Sequence, residues 1–331
     1  MKQGTEELAT IARRYERFAS VEAKSSSPHY ERLALDIASS FELLTFLASL
    51  PSERRQPNLF LGAVRHVCGL PRDGTDLVES IRTGGPRVRE VMLSRTTQTN
   101  EPARCAVLLP ALLGLRQPLA LIEVGASAGL CLLGDRYGYD YGRQQITAPT
   151  SKYSVAPTFH CRASPNTPVP SAYPEIAWRA GLDLNPLDVN SATEMDWLET
   201  LVWPGQEQRA QWLRDAIAIA QWHPPKIHRG DLLSDLPTLA ASAPTVAQLV
   251  IFHTAVLAYV AAQSDRDAFA EIVRKTGALW ISNEVPATFP EIAKRAPPSP
   301  SPGNFLMAVN GEPVAWTGPH GQSIEWFASS I

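Results

Sequence analysis

The chain has 331 residues, 44% of them hydrophobic and 19% charged, with a formal net charge of −3. That length suits one large domain or a core domain with a smaller companion, and the slight acidity argues against a nucleic-acid partner, which needs a basic face. No apolar run reaches the roughly 18 residues of a membrane span, and the charged, amphipathic start MKQGTEELATIARRYERF lacks the apolar centre of a signal peptide.

Taken in chain order, residues 1–116 read as a helical domain, a lid or cap. TEELATIARRYERFASVEA places Leu8, Ile11, Tyr15 and Phe18 on one helix face. SPHYERLALDIASSFELLTFLASL repeats the pattern, with Ser27-Pro28 as a start signal and Pro51 as a stop. PNLFLGAVRHVCGL, a short GPRVREVMLSRT and EPARCAVLLPALLGL complete the set. The texture changes after Gln117. Short apolar runs at 118–124, 175–184, 226–232, 245–252 and 277–282 alternate with helical stretches near 127–135, 206–221 and 264–275. Such alternation predicts a mainly parallel sheet with crossover helices. NFLMAVNGEPVAWTGPHGQSIEWF then reads as an antiparallel hairpin around Asn310-Gly311, with Gly318-Pro319-His320-Gly321 as a second turn. The proline-rich stretch 136–174 breaks the alternation and reads as an insertion, with RYGYDY (136–141) packing it onto the sheet. Cys68, Cys105, Cys131 and Cys161 form no C-x-x-C pair and are expected as buried apolar residues, with no metal site, in a cytoplasmic protein.

The segment LIEVGASAGL carries the strongest functional signal. A strand runs into Gly125 and Gly129, four apart, with the acid Glu123 two residues ahead. Glycines let backbone approach a ligand, but this spacing is not the G-x-G-x-x-G dinucleotide fingerprint. A carboxylate beside the turn would repel a pyrophosphate and would suit a zwitterionic or cationic ligand. The alternative is that the small residues only permit close packing. Asp183 at the next strand end is placed to accept both ribose hydroxyls of a nucleoside, or to cap a helix. Asp231, after Gly230, is either a third ligand acid or a turn cap.

Glu123-x-Gly125-x-Ser127-x-Gly129 resembles the first motif of class I S-adenosylmethionine-dependent methyltransferases, with Ser127 at the central glycine position. GLDLNP and GDLLSDLP resemble the segments that hold ribose and adenine in those enzymes. The resemblance implies a doubly wound, Rossmann-like α/β domain at 117–331 with a C-terminal antiparallel hairpin and an insertion at about 136–174, beside the helical domain. It further implies that Glu123, Gly125, Ser127 and Gly129 bind the amino-acid end of S-adenosylmethionine, Asp183 the ribose and Asp231 the adenine. The chain is also similar to a bacterial family of unknown function, family 2332, through TQTNEPARCAVLLPAL, PLALIEVGASAGLCLLGDRYGYDYG, AGLDLNPLDV, LVWPGQEQR, RGDLLSDLP and VIFHTAVLAYV. Cys131 departs from the polar residue expected there in that family.

Methyl transfer needs two reactants held in line, and sometimes a base. His253, directly after the fourth apolar run, is the candidate general base or orienter, with Glu284 as its partner or as a contact for a cationic substrate. Asn100, Glu101 and Arg104, from the polar loop SRTTQTNEPARC, and Asn283 are the candidate substrate contacts. The expected activity is methylation of a small-molecule acceptor. The alternatives are a non-catalytic nucleoside-binding module and, against the glycine spacing, a nicotinamide-dependent oxidoreductase. No membrane partner is expected, and the oligomeric state is left open, a homodimer among the options.

Overall fold

The computed structural model describes residues 2–24, 26–98, 100–149 and 156–329, with side chains from residue 5 onward. Thr99 of the polar loop and residues 150–155 of the expected insertion lie outside the described residues. The chain divides into two compact units, one of Met1–Thr99 with Ala192–Gln211, the other of Asn100–Ser191 with Trp212–Ile331. The division thus falls at 99/100 rather than 116/117, and a later segment joins the helical unit.

The helical unit begins with α1 (Lys2–Arg17), whose last turn widens into a π-helix at Phe18–Ala23. The single helix expected over 27–50 is two, α2 (Pro28–Ser39) and α3 (Phe41–Ala48), because Ser40 breaks off and its side chain caps Leu43 N. α4 (Pro57–Cys68) ends at Gly69. α5 (Gly74–Ser94) is far longer than the short helix expected from Gly85 onward. Its start is fixed upstream by Asp73, which accepts from Thr75 N and Asp76 N, and Pro86 is accommodated within it. Tyr15, Phe18, Leu33, Leu43, Phe60, Leu77 and Val88 fill the core. Trp197 joins them, its indole donating to Thr96 O and lying under the Arg95 guanidinium. That anchor explains why residues 192–211 belong here. Cys68 is exposed, contrary to expectation, while Cys105, Cys131 and Cys161 are buried.

The second unit opens with a 3-10 turn at Pro102–Arg104 and α6 (Cys105–Leu112), buried along its whole length. Next come β1 (Leu119–Val124), β2 (Gly138–Asp140), β3 (Gln145–Ile146), β4 (Thr158–His160), β5 (Arg162–Ala163) and β6 (Ile176–Asp183). α7 (Ala192–Thr200) lies in the joined segment, and α8 (Glu207–Trp222) runs across its end. β7 (Ile227–Arg229), α9 (Leu236–Ala241), β8 (Gln248–Thr254), α10 (Gln263–Thr276), β9 (Leu279–Glu284) and α11 (Pro290–Ala293) follow. β10 (Phe305–Val309), β11 (Glu312–Thr317) and β12 (Ser323–Trp326) close the chain.

The main sheet has the order β5-β12-β11-β10-β9-β8-β1-β6-β7. β7, β6, β1, β8 and β9 are parallel, and β10, β11 and β12 are antiparallel to their predecessors. All five expected parallel strands are present, and so is the hairpin, where Asn310 (φ 51°) and Gly311 (φ 80°) make the turn. β1 is buried throughout, as an apolar strand between two parallel neighbours must be. The chain leaves β1 to one side for β6 and β7 and returns to the other for β8 and β9. Within the described part of 136–174, β3-β2-β4 form a separate small sheet, and β5 extends the main one. Tyr137, Tyr139 and Tyr141 are buried, with hydroxyls donating to Leu130 O, Gly134 O and Ala106 O. The expected helix at 127–135 is instead a kinked 3-10 segment, Leu130–Arg136. Side chains take its carbonyls: Tyr137 that of Leu130, and Arg179 that of Leu132.

Candidate functional site

The acid–glycine turn sits at the C-terminal end of β1. Gly125 (φ 71°), Ser127 (φ 53°) and Gly129 (φ 71°) all adopt the left-handed conformation that glycine tolerates best. Two polar side chains hold the turn. Asp183 at the end of β6 accepts from Ser127 N (2.8 Å) and from Asn185 N (2.7 Å), one bond per carboxylate oxygen. Asn100 donates to Ala126 O (2.8 Å) and accepts from Leu130 N (3.1 Å). A Cβ on Gly125 would lie 2.4 Å from Val256 Cγ2, and one on Gly129 2.7 Å from Pro225 Cγ. The missing side chains are therefore required by packing.

Glu123 lies beneath the turn. In register with Phe252 and Gly181, it shares one sheet face with them and, through β6, with Asp183. It is buried, and its Oε2 has no hydrogen-bond partner. Burial pushes its carboxyl well above the usual range, helped by the Cys131 thiol and Asp183 and opposed by Arg104. Ser127 Oγ, in the turn that follows, is a second buried oxygen with no partner.

Further along the same edge, Arg104 donates through Nε to Pro319 O (2.8 Å) and through Nη1 to Thr254 O (3.1 Å), its guanidinium lying over Phe305. Asn283 donates to Thr254 Oγ1 (3.1 Å) and accepts from Thr317 Oγ1 (2.7 Å). Glu101, 4% exposed, lies 3.2 Å through Oε2 from His320 Nδ1. Sequence reasoning missed Thr254, Thr317 and His320. The GPHG signal read only as a turn, although the histidine in it was visible.

His253 and Glu284 stand on the opposite face. His253 is in register with Ser282, out of phase with Glu123, and is packed between Phe269 and Trp280 with no exposed surface. Trp280 Nε1 donates to His253 Nε2 (2.9 Å), so Nδ1 carries the proton and donates to Glu284 Oε1 (2.7 Å). The same Oε1 accepts from Val256 N (2.9 Å) and Leu257 N (3.2 Å). Both ring nitrogens are engaged inside the core. The pair fixes the loop after β8, and through Val256 it buttresses Gly125.

Asp231 closes a local turn, its Oδ1 accepting from Leu233 N (2.8 Å) and Ser234 N (3.1 Å). Gly230 N donates to Asp183 O (3.0 Å), so the β6 and β7 ends are tied together. Beside them a cleft of about 290 Å³ runs between Ala128, the 186–189 segment and Pro224, Pro225 and Ile227. Among the described residues no group of three or more His, Cys, Asp or Glu side chains is placed to hold a metal, and no helix is long and apolar enough to cross a membrane.

The profile of a bacterial family described as "Uncharacterized protein conserved in bacteria (DUF2332)" matches residues 12–326, and the chain belongs to that family. No curated protein and no solved structure matches it.

Proposed function

We propose that this DUF2332 member is an S-adenosylmethionine-dependent methyltransferase whose second unit is a Rossmann-like domain and whose acceptor is a small molecule. The observation that carries the reading is the position of the acid–glycine turn. It lies at the C-terminal end of the central parallel strand, where the strand order reverses between β6 and β8, the place where open α/β sheets bind ligands. The residues fit the cofactor on three counts. Glu123 keeps one carboxyl oxygen without a partner, and an ammonium beside it would offset the burial that holds the acid protonated. Each Asp183 oxygen accepts one backbone N–H and retains a lone pair for a ribose hydroxyl. The 290 Å³ cleft beside Ala128 is near the small end of the ligand-pocket range, about 300–1,000 Å³.

When bound, S-adenosylmethionine supplies an electrophilic methyl group on a sulfonium. In this reading Glu123, Gly125, Ser127 and Gly129 orient its amino-acid end, Asp183 its ribose and Asp231 its adenine. Asn100 and Asn283 hold the turn and the β8 end in place, and Glu101 and Arg104 border the acceptor. His253 and Glu284 act as positioning residues, since a histidine with both nitrogens engaged in the core has none to offer a substrate. That sealed histidine also favours a second reading, a nucleoside-binding module without turnover.

Calorimetric titration with S-adenosylmethionine and S-adenosylhomocysteine, with NADH as control, tests the cofactor. The expectation is micromolar binding of the first two only. Absence of binding to either by folded protein would end the methyltransferase reading. Binding without turnover across a broad acceptor panel would leave the binding module.

A further inference from the structure

We propose that Glu123 selects nucleosides that carry an ammonium group, releasing a proton to solvent when such a ligand docks at the acid–glycine turn. The inference rests on the cofactor reading for its ligand and on burial and packing for its residue.

Glu123 is 3% exposed, and its Oε2 has no hydrogen-bond partner. An ionised carboxylate in that state would have lost its water without replacement, so the free protein holds the acid neutral. The titratable groups around it reinforce this. Asp183 from the end of β6, the Cys131 thiol from the 3-10 segment and the Tyr137 phenol after it are all acids, and Arg104, from the turn before α6, opposes them. Cys105 and Glu101 act on Cys131 in turn. On β8 the residue in register is the apolar Phe252, with His253 on the other face.

The acid also belongs to the face that carries the cleft. Glu123 is in register with Gly181, and Gly181 with Ile227, so the three share one sheet face, and Ile227 and Ala128 line the cleft. Gly181 has no side chain to fill the place between the other two. A Cβ there would lie 2.6 Å from Ala126 Cβ and 3.1 Å from Ile227 Cγ2, so the methyl of a turn residue packs over it instead. Ser127 Oγ, the second buried oxygen without a partner, follows in the same turn. An ammonium brings three N–H donors to such acceptors.

A cation beside the carboxyl favours its ionised form in these low-dielectric surroundings, and the proton passes to bulk solvent. The resulting carboxylate–ammonium pair is as neutral as the protonated acid it replaces. A nucleoside without the ammonium has nothing to exchange and leaves the acid protonated. Because a proton is lost on binding, affinity for the ammonium-bearing ligand rises with pH, by about tenfold per unit, up to the pH at which Glu123 ionises in the free protein.

The test is calorimetry of the full chain with S-adenosylhomocysteine and with methylthioadenosine, which lacks the amino-acid end. Titrations at about pH 6, where an ordinary carboxyl is ionised, are run in phosphate and in bis-Tris, whose ionisation enthalpies differ. S-adenosylhomocysteine should release about one proton per molecule bound, methylthioadenosine none, and Glu123→Gln none with either. Infrared difference spectra should show a protonated-carboxyl band lost when S-adenosylhomocysteine is added to wild type, and no such loss in Glu123→Gln. Binding of S-adenosylhomocysteine without proton release, or with equal release in Glu123→Gln, overturns the inference and leaves the cofactor reading standing. Should the variant fail to fold, equal release by the two nucleosides on wild type, or an unchanged carboxyl band, overturns it. If folded protein binds neither nucleoside, the cofactor reading falls and the inference falls with it.

Discussion

Replacing Asp183 separates its structural and binding roles. Its carboxylate accepts two backbone N–H groups at 2.8 and 2.7 Å, one of them from Ser127 in a left-handed conformation. Hydrogen bonds to charged groups contribute about 1.5–3 kcal/mol each, and the half-buried setting of Asp183 points to the low end. Asp183→Ala should therefore cost roughly 3 kcal/mol of stability with no ligand present. At about 2–4 °C per kcal/mol for a unit of this size, the melting temperature should fall by roughly 6–12 °C. Asp183→Asn keeps one acceptor oxygen but faces the other N–H with an amide NH₂, and should lose about half as much. Urea unfolding followed by circular dichroism measures both, and calorimetry on the folded fraction then isolates any further loss of S-adenosylhomocysteine affinity. If both variants unfold within about 0.5 kcal/mol of wild type, Asp183 does not hold the turn, and the geometric argument for the site fails.

Ser127→Gly should stabilise the protein by about 0.5–1 kcal/mol, since relief of the left-handed backbone exceeds the entropic cost of glycine; a loss in chemical denaturation would show that Ser127 Oγ has a stabilising role. Gly321→Ala should cost at least about 2 kcal/mol, because its Cβ collides with the Ala103 backbone, and should lift His320 off Glu101, seen as a changed ring tautomer. Glu123 gives a pH signature. Its folded-state carboxyl titrates well above the usual range, so its contribution is whole below the unfolded value near pH 4 and is lost as pH rises towards the folded value. Glu123→Gln should match wild type at pH 4 and exceed it increasingly as pH rises towards the folded value, by up to about 1.4 kcal/mol per pH unit. Parallel stability curves for the two proteins would refute the burial argument.

The parallel strands were legible because buried strands between crossover helices are unbroken apolar runs, and Asn310-Gly311 announced its hairpin through turn chemistry. The glycine turn and Asp183 were found as a pair, but the hydrogen bond joining them was not, since it depends on where β6 docks. Phase along a strand was the main thing hidden. His253 and Glu123 lie on adjacent strands at the same edge, yet one residue of register sends His253 to the other face, and nothing local tells which face carries the ligand. The 127–135 helix failed because Tyr137 and Arg179, one nearby and one on a later strand, take the carbonyls an α-helix would use. Trp197 was equally unreadable as a member of the helical unit, being a hundred residues from the rest of that core.

The return of Ala192–Gln211 to the first unit means that the chain passes between units three times. On a ribosome, the helical unit cannot bury Trp197 until the whole Asn100–Ser191 stretch of the second unit has been made, so its folding waits on a late segment. No single cut yields either unit whole. A truncation ending at residue 99 would strip away Trp197 and expose the groove that receives it, and one starting at residue 100 would carry a segment with no core to join. Limited proteolysis should accordingly release fragments that stay associated under native conditions and separate only in denaturant.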